Sequence, residues 1–267
     1  MIKFSILCPT RCRFKGAHRL LQSARESAYN PDEIEVLYAV DADDVKTITE
    51  FEQLKKICPT WNFSVHIRER SDFINGDYYN WLCQFAKGEY LWIAGDDVVV
   101  TNKDWDKLVW DKLEEYLKDK PDRIAYGIIS DGTPPPQNYA KKTFCCFPIV
   151  SKEAYNLLGF VLHGDIPTWG ADIVLYELYT HERVNRSIDL TKEMIVRHVS
   201  HHTGMAKRDV ISLNVEKVHK KYAGGRILGE VRNLILPVNI NTLATYIEEM
   251  KEKLNERMVK KQPVQLV

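Results

Sequence analysis

The first half of this chain alternates apolar runs with segments whose apolar residues recur at helical spacing. Apolar runs at residues 3–10, 33–41, 63–69 and 90–94 have the length of buried strands, and each gap between them has room for a helix. A strand–helix–strand alternation specifies an open, mostly parallel sheet with helices on both faces. We therefore predict an α/β fold of this kind.

The second half continues this pattern and then changes character. We predict a long helix over residues 104–119, a strand over 123–130 and a proline-rich surface loop over 131–142. The remaining predicted elements are a strand leading into a helix within residues 143–159, a helix opened by Trp169–Asp172 and a strand near residue 196 that precedes a histidine cluster.

From about residue 206 the composition becomes helical and charged. We predict two regions, an α/β domain over residues 1–205 and a helical C-terminal extension over residues 206–267. The extension places four apolar residues on one helical stripe, which predicts packing on the core or self-association as a homo-oligomer. These residues are Leu243, Ile247, Met250 and Leu254.

The charge balance and the cysteines limit the class of protein. Lys and Arg together number 37, as do Asp and Glu, so the formal net charge is zero and nothing global favours nucleic acid or an anionic membrane. The sequence has no apolar run of about 18 residues, so we expect no transmembrane helix. Six cysteines without a CxxC pair predict reduced thiols and a cytoplasmic location.

Polar residues follow three of the predicted strands at the point where each strand ends. Ligands of open α/β sheets bind beyond the carboxyl ends of the strands, so these side chains should converge on one crevice. Turn propensity alone could explain any one group, but not acids and a base at three strand ends together. The groups are Pro9, Thr10 and Arg11 after the first strand, Asp41, Asp43 and Asp44 after the second, and Asp96 and Asp97 after the fourth.

Three stretches together resemble the GT-A fold glycosyltransferases, closest to the family-2-like group: FSILCPTR, VDADD and NWLCQFAKGEYLWIAGDD. The resemblance covers about residues 3–203, and it implies that the α/β domain over residues 1–205 has the GT-A fold, which is Rossmann-like and nucleotide-binding. Leu82 stands where the family has a glycine, and Ala94 stands at the first acid of a DxD-type motif. The matching positions in the last stretch are Asn80, Ala86, Gly88, Glu89, Tyr90, Asp96 and Asp97.

The resemblance implies a nucleotide-sugar donor, a UDP-sugar by expectation, and a divalent metal, Mn²⁺ or Mg²⁺, that neutralises the leaving diphosphate. Asp97 is then the direct metal ligand, and Asp96 contacts the ribose or the sugar. Asp41 accepts a hydrogen bond from the base, with Asp43 as a substitute. The metal would be the cation that offsets the two acids at the end of an apolar strand. The competing interpretation makes Asp96 and Asp97 a helix N-cap.

The same resemblance assigns further residues to the donor pocket. Pro9, Thr10 and Arg11 line the nucleotide, with Arg11 near the phosphates or the base, and Asn80 belongs to the same nucleotide-binding set.

The resemblance also implies that a histidine near the C-terminal end of the domain binds the metal or the diphosphate. His198 is the first candidate and His201 the next, while His202 shares the strand face of His198. Lys207 and Arg208 could hold the diphosphate, although a solvated pair is an equal alternative.

The acceptor must lose a proton as its oxygen attacks, and a carboxylate is the usual general base. The resemblance points to Asp172 at a helix start, with Asp165 as the second candidate and a plain helix cap as the alternative. Trp169 packs against an acceptor sugar or belongs to the core.

These assignments predict an enzyme, a metal-dependent glycosyltransferase of the hexosyltransferase type. It would move a sugar to a hydroxyl acceptor, a glycan or another hydroxyl compound, with inversion if Asp172 is the base. One alternative is a sugar-phosphate nucleotidyltransferase, although a glycine-rich phosphate loop is missing after the first strand. Another is a non-catalytic module that binds nucleotide-sugars or glycans.

Overall fold

A seven-stranded sheet forms the centre of the molecule in the computed structural model, which describes residues 1–133, 143–199, 209–222 and 226–260. The strand order is β3-β2-β1-β4-β7-β6-β8. The strands are β1 (Phe4–Thr10), β2 (Ile34–Asp41), β3 (Phe63–Arg68), β4 (Tyr90–Ile93), β6 (Tyr126–Ile128), β7 (Ile149–Ser151) and β8 (Ser187–Asp189), and β5 (Val98–Val100) pairs with β9 (Val196–His198) in a small second sheet.

The sheet is mostly parallel, as the sequence predicts. Strands β3, β2, β1 and β4 are parallel neighbours, and β6 is parallel to β8. Strand β7 is antiparallel to both of its neighbours, so it alone of these seven strands runs against the others. The carboxyl ends of β1, β2 and β4 therefore lie at one edge of the sheet.

Helices flank this sheet and bury their apolar faces on it. In α1, the side chains of Ala17, Leu20, Leu21 and Ala24 recur at helical spacing and are fully buried. The helices are α1 (Phe14–Glu26), α2 (Val45–Ile57), α3 (Trp81–Cys83), α4 (Trp105–Leu117), α5 (Lys152–Leu158), α6 (Ala171–Thr180), α7 (Val210–Tyr222) and α8 (Arg226–Lys260).

The helix expected in the gap between β3 and β4 forms as two segments of different kinds. A π-helical segment, Asn75–Asn80, precedes the short helix α3. Tyr78 donates its hydroxyl hydrogen to Asp41, and Tyr79 donates to the carbonyl of Ala94 at 3.0 Å. The wider π turn thus accompanies two adjacent tyrosines that both bond to the strand ends, a placement that a 3.6-residue period does not predict.

Gly88 allows β4 to enter the sheet beside β1. A Cβ atom at residue 88 would lie 2.6 Å from the backbone nitrogen of Ser5, so a larger residue would push the two strands apart. The Gly88 amide also donates to Ser5 Oγ at 2.8 Å. This contact gives the glycine of the Gly-Glu-Tyr stretch a packing function.

The C-terminal helices belong to the same body as the sheet. Leu243 and Ile247 of α8 are buried against the core, together with Ile240, whereas Leu234 on the same helix exposes 73% of its surface. The first two residues of the predicted stripe, Leu243 and Ile247, therefore pack on this chain's own core, whereas Met250 and Leu254 are only half-buried. The predicted boundary at residues 205 and 206 and most of the predicted loop, residues 134–142, lie outside the described residues.

The described helices include none that is both long enough and apolar enough to cross a membrane. All six cysteines lie in the described ranges and carry free thiols.

Candidate active site

A large cleft opens where the parallel strands end. Its volume is about 1330 Å³, and it is bounded by the carboxyl ends of β1, β2 and β4, by the start of α6, by β9 and by α7. Most of the residues singled out in the sequence meet there. These are Pro9, Thr10, Arg11, Asp41, Asp96, Asp97, Trp169, Asp172 and His198.

Asp96 is buried at the floor of the cleft and is compensated by the protein itself. Thr10 Oγ1 donates to its Oδ2 at 2.8 Å, and Arg13 Nη1 lies 3.3 Å from its Oδ1. Gly16 of α1 permits this closeness, because a Cβ there would lie 2.3 Å from the Asp96 carbonyl oxygen. The pKa of Asp96 is raised to about 6. Burial is the main cause, the nearby Arg13 opposes it, and the charge of Asp97 adds to it.

Arg13 is therefore a cation of the protein itself beside Asp96, in addition to the metal that the sequence predicts. Arg13 also donates to both carboxylate oxygens of Asp209, at 2.7 and 2.6 Å, just before α7 begins. Arg13 was not predicted as a site residue from the sequence. The feature that could have indicated it is its position as a second arginine, after Arg11, in the turn between β1 and α1.

Asp97 has different surroundings from its neighbour. Its side chain is 26% exposed, and its Oδ2 lies 3.3 Å from His198 Nε2. The antiparallel pairing of β5 with β9 sets Val98 opposite His198, and the Val199 amide donates to the Asp97 carbonyl at 2.7 Å. Two residues that are 101 positions apart thereby present a carboxylate oxygen and an imidazole nitrogen to the same cleft.

This pair fits a divalent metal in the chemistry of its donors. A carboxylate and an imidazole suit Mn²⁺, and an oxygen-rich ligand such as a diphosphate would complete the coordination of Mn²⁺ or Mg²⁺. In the described part of the chain, no group of three or more His, Cys, Asp or Glu side chains is gathered for a metal. His201, His202, Lys207 and Arg208 lie outside the described residues.

Neither acid caps a helix. Helix α4 begins at Trp105 with Asp104 at its N-cap, seven residues after Asp97. The helix-cap interpretation of Asp96 and Asp97 is therefore wrong.

Arg11 and Asp41 bind each other at the end of β2. Arg11 Nη1 lies 2.6 Å from Asp41 Oδ2, and its guanidinium also binds Asp43, with Nη2 donating to Oδ2 at 2.9 Å. The hydrogen bond from Arg11 lowers the pKa of Asp43. Tyr78 donates to the other oxygen of Asp41, which is buried. Arg11 thus shapes the acidic end of this pocket through two carboxylates.

Asp172 lies in the first turn of α6 and lines the opposite wall of the cleft. Burial raises its pKa, and a hydrogen bond from the Cys146 thiol partly counteracts that rise. A raised pKa makes the carboxylate a better proton acceptor. Asp165, the second candidate base, has a side chain that is 76% exposed near His163, and it is not among the cleft-lining residues.

Asn80 lies away from the cleft lining and holds a loop. Its Oδ1 accepts hydrogen bonds from the amides of Val161 and Leu162 at 2.8 and 3.2 Å, and its Nδ2 donates to the Leu162 carbonyl at 2.7 Å. All of these bonds go to backbone groups, so the side chain organises the segment that leads towards Asp172.

No protein-family model matches this sequence, and no curated protein matches it. Solved structures do match the architecture. A fragment of Staphylococcus aureus TarS, residues 1–349 in complex with UDP-GlcNAc, superposes with a TM-score of 0.58 at 16% identity, over 99% of this chain and 74% of the other. The chain has the GT-A fold. The larger TarS structure aligns over 83% of this chain but only 43% of its own, at 16% identity and a TM-score of 0.55.

The GT-A fold is also shared with a mannosyltransferase, PcManGT from Pyrobaculum calidifontis, solved with GDP-Man and Mn²⁺. That match has a TM-score of 0.56 at 13% identity, over 96% of this chain and 79% of the other. GalNAc-T7 with UDP, GalNAc and Mn²⁺ matches at a TM-score of 0.56 and 11% identity, over 74% of this chain and 44% of the other. At these identities the likeness establishes the fold.

Proposed function

We propose that this protein is a metal-dependent glycosyltransferase that moves a sugar from a UDP-sugar to a hydroxyl acceptor, with inversion at the anomeric carbon. The observation that carries the proposal is the pairing of Asp97 with His198, 3.3 Å apart, in a cleft at the carboxyl ends of parallel strands. The GT-A fold, which is shared with proteins solved with nucleotide-sugars, supports it.

The donor would lie over the ends of β1, β2 and β4. Pro9 and Thr10 line the nucleotide, and Asp41, already fixed by Arg11 and Tyr78, presents a carboxylate to the base. Asp96, fixed by Thr10, faces the ribose or the sugar. These acids need no large rearrangement to serve as hydrogen-bond acceptors, because protein donors already fix their orientation.

Asp97 and His198 would hold the metal, which when bound neutralises charge on the diphosphate leaving group. The protein adds its own cation, because Arg13 lies at the same floor between Asp96 and Asp209.

The proposed transfer needs one general base. The acceptor oxygen forms a bond to the anomeric carbon while the bond from that carbon to the phosphate oxygen breaks, and the electron pair leaves with the nucleoside diphosphate. Asp172 takes the hydroxyl proton, a step that its raised pKa favours. Attack from the face opposite the leaving group inverts the anomeric centre.

The experiment is a donor-hydrolysis assay with several nucleotide-sugars, in Mn²⁺ and in excess chelator. We expect metal-dependent release of a nucleoside diphosphate from one donor, and its loss in Asp97→Asn. Asp189→Asn is the matched control, since Asp189 is an exposed acid on β8 outside the cleft lining.

The products separate the alternatives. When pyrophosphate is added, a nucleotidyltransferase would instead convert it and the nucleotide-sugar into a nucleoside triphosphate and a sugar 1-phosphate. A binding module would shift the melting temperature with nucleotide but turn over nothing. Either of these results would overturn the proposal.

A further inference from the structure

A large aromatic ring forms part of the cleft wall beside the proposed base. Trp169 lines the cleft three residues before Asp172, and 40% of its surface is exposed. Trp169 therefore does not belong to the core, which was one of the two roles that the sequence allowed. An exposed indole in a polar cleft presents apolar surface that a ligand could remove from water with a gain in free energy.

The segment that carries Trp169 is fixed by backbone hydrogen bonds. Ile74 donates its amide to the Pro167 carbonyl at 2.9 Å. The buried Asn75 side chain donates to the carbonyls of Thr168, at 2.8 Å, and Ile166. Because these bonds hold the two residues before the indole, the ring has a defined position before any ligand arrives.

Helix α7 supports the ring from the other side. The centroid of His219 lies 4.9 Å from that of Trp169, with the planes inclined at 46°. His219 Nδ1 is 3.3 Å from Thr168 Oγ1, so the imidazole is itself held to the same segment. A ring that is packed and oriented in advance loses little conformational entropy when it binds a ligand.

A carboxylate lines the same cleft as this apolar surface. Asp72 lines the cleft and lies 3.6 Å from Lys221, which follows His219 by two positions on α7. A flat apolar face in a cleft that also presents a carboxylate matches a sugar ring, which has an apolar C–H face and a rim of hydroxyl donors. A serine side chain or an acyclic polyol has the hydroxyl groups but lacks the flat apolar face.

We propose that Trp169 is the platform of an acceptor subsite, and that the hydroxyl which attacks the donor belongs to a sugar ring stacked on it. Asp72 accepts hydrogen bonds from the hydroxyl groups at the rim of that sugar. This inference rests on the proposed function and adds to it the chemical class of the acceptor, a glycoside.

The first test measures binding without turnover. Saturation-transfer NMR would use methyl β-glucopyranoside and methyl β-N-acetylglucosaminide as probes, with glucitol and xylitol as acyclic controls. We expect transfer to the ring C–H protons of at least one glycoside and little transfer to either polyol. Trp169→Ala should reduce the glycoside signal about fivefold or more, and Trp169→Phe should retain part of it.

Phe85→Ala is the matched control, because Phe85 is also 40% exposed but lies outside the cleft lining. We expect it to leave the glycoside signal unchanged. Equal signals from glycosides and polyols, or a glycoside signal that survives Trp169→Ala, would overturn the assignment.

The second test measures the ratio of transfer to hydrolysis once a donor is known. With the glycoside probe as acceptor, Trp169→Ala should lower this ratio about tenfold, and Asp72→Asn should lower it to a smaller extent. An unchanged ratio in Trp169→Ala argues against the subsite while donor hydrolysis still supports the transferase. The absence of hydrolysis in the wild-type protein argues against the transferase instead, so the two failures are distinguishable.

Discussion

Asp96 and Asp97 are adjacent in the chain, yet their surroundings give them different chemistry. Asp96 is buried and bonded by Thr10 and Arg13, whereas Asp97 is partly exposed and faces His198. A buried carboxylate with protein donors on both oxygens is fixed in place, and one with an open side can bind a ligand. This contrast supports the proposal that the second aspartate holds the metal and that the first orients the donor.

Asp96 should make the free energy of unfolding depend on pH. Its folded pKa, raised to about 6 chiefly by burial, exceeds the ordinary value of 3.8, so between these values the folded protein holds a proton that the unfolded chain has lost. The contribution of this group is complete below pH 3.8 and is lost as the pH rises through 6.

As the pH rises from 4 to 7, the free energy of unfolding of Asp96→Asn should therefore increase by about 2 kcal/mol relative to that of the wild-type protein. Urea unfolding of both proteins across this range measures the difference. A constant gap between the two curves would show that Asp96 does not titrate in this range.

At the scale of elements, the loop between α5 and α6 depends on the π-helical segment before α3. Asn80 holds the backbone of Val161 and Leu162, and Asn75 holds that of Ile166 and Thr168. Two asparagines one helical stretch apart thus position the segment that carries Trp169 and Asp172. Because these hydrogen bonds hold the loop, it has its conformation before a substrate binds.

Asn80→Ala tests whether this residue holds the loop or binds the donor. We expect a loss of about 1–3 kcal/mol in the free energy of unfolding, because two backbone amides and a carbonyl lose their partner. The KM for the donor should change less than twofold, since the side chain is not among the cleft-lining residues. A large rise in donor KM with unchanged stability would instead indicate that Asn80 binds the nucleotide.

At the scale of the whole molecule, the C-terminal helices complete the body that the sheet begins. Helix α8 buries Leu243 and Ile247 in the core, and Asp209, at the start of α7, binds Arg13 on the cleft floor. The extension predicted from the sequence is therefore structurally continuous with the region that contains the sheet. Removing it would expose apolar core and leave Arg13 without that partner.

Leu243→Ala should lower the free energy of unfolding by about 2–4 kcal/mol, because the fully buried side chain leaves a cavity in the core. Leu234→Ala is the matched control on the same helix. At 73% exposure it should change stability by less than about 0.5 kcal/mol. Chemical denaturation of both variants decides the matter, and equal effects would place the α8 stripe outside the core.

The sequence predicted the strands β1 to β4 and the helices around them because local periodicity reports which face is buried. It placed three groups of strand-end residues in one cleft because the ends of parallel strands meet. It missed β8, which has only three residues, and the bonds of Arg13 to Asp96 and Asp209. Contacts between residues 83 and 196 positions apart depend on register and packing, which leave no local pattern.

The most direct test of the account is UDP release from the hydrolysed donor as Mn²⁺ is titrated, in the wild-type protein, Asp97→Asn and His198→Ala. Removing a carboxylate or an imidazole from the pair weakens the metal site, so each variant should need more Mn²⁺ for half-maximal rate and release UDP at least about tenfold more slowly. Metal binding measured by calorimetry with UDP present should weaken in parallel. Wild-type rates and Mn²⁺ affinity in both variants would contradict the claim that Asp97 and His198 hold the metal.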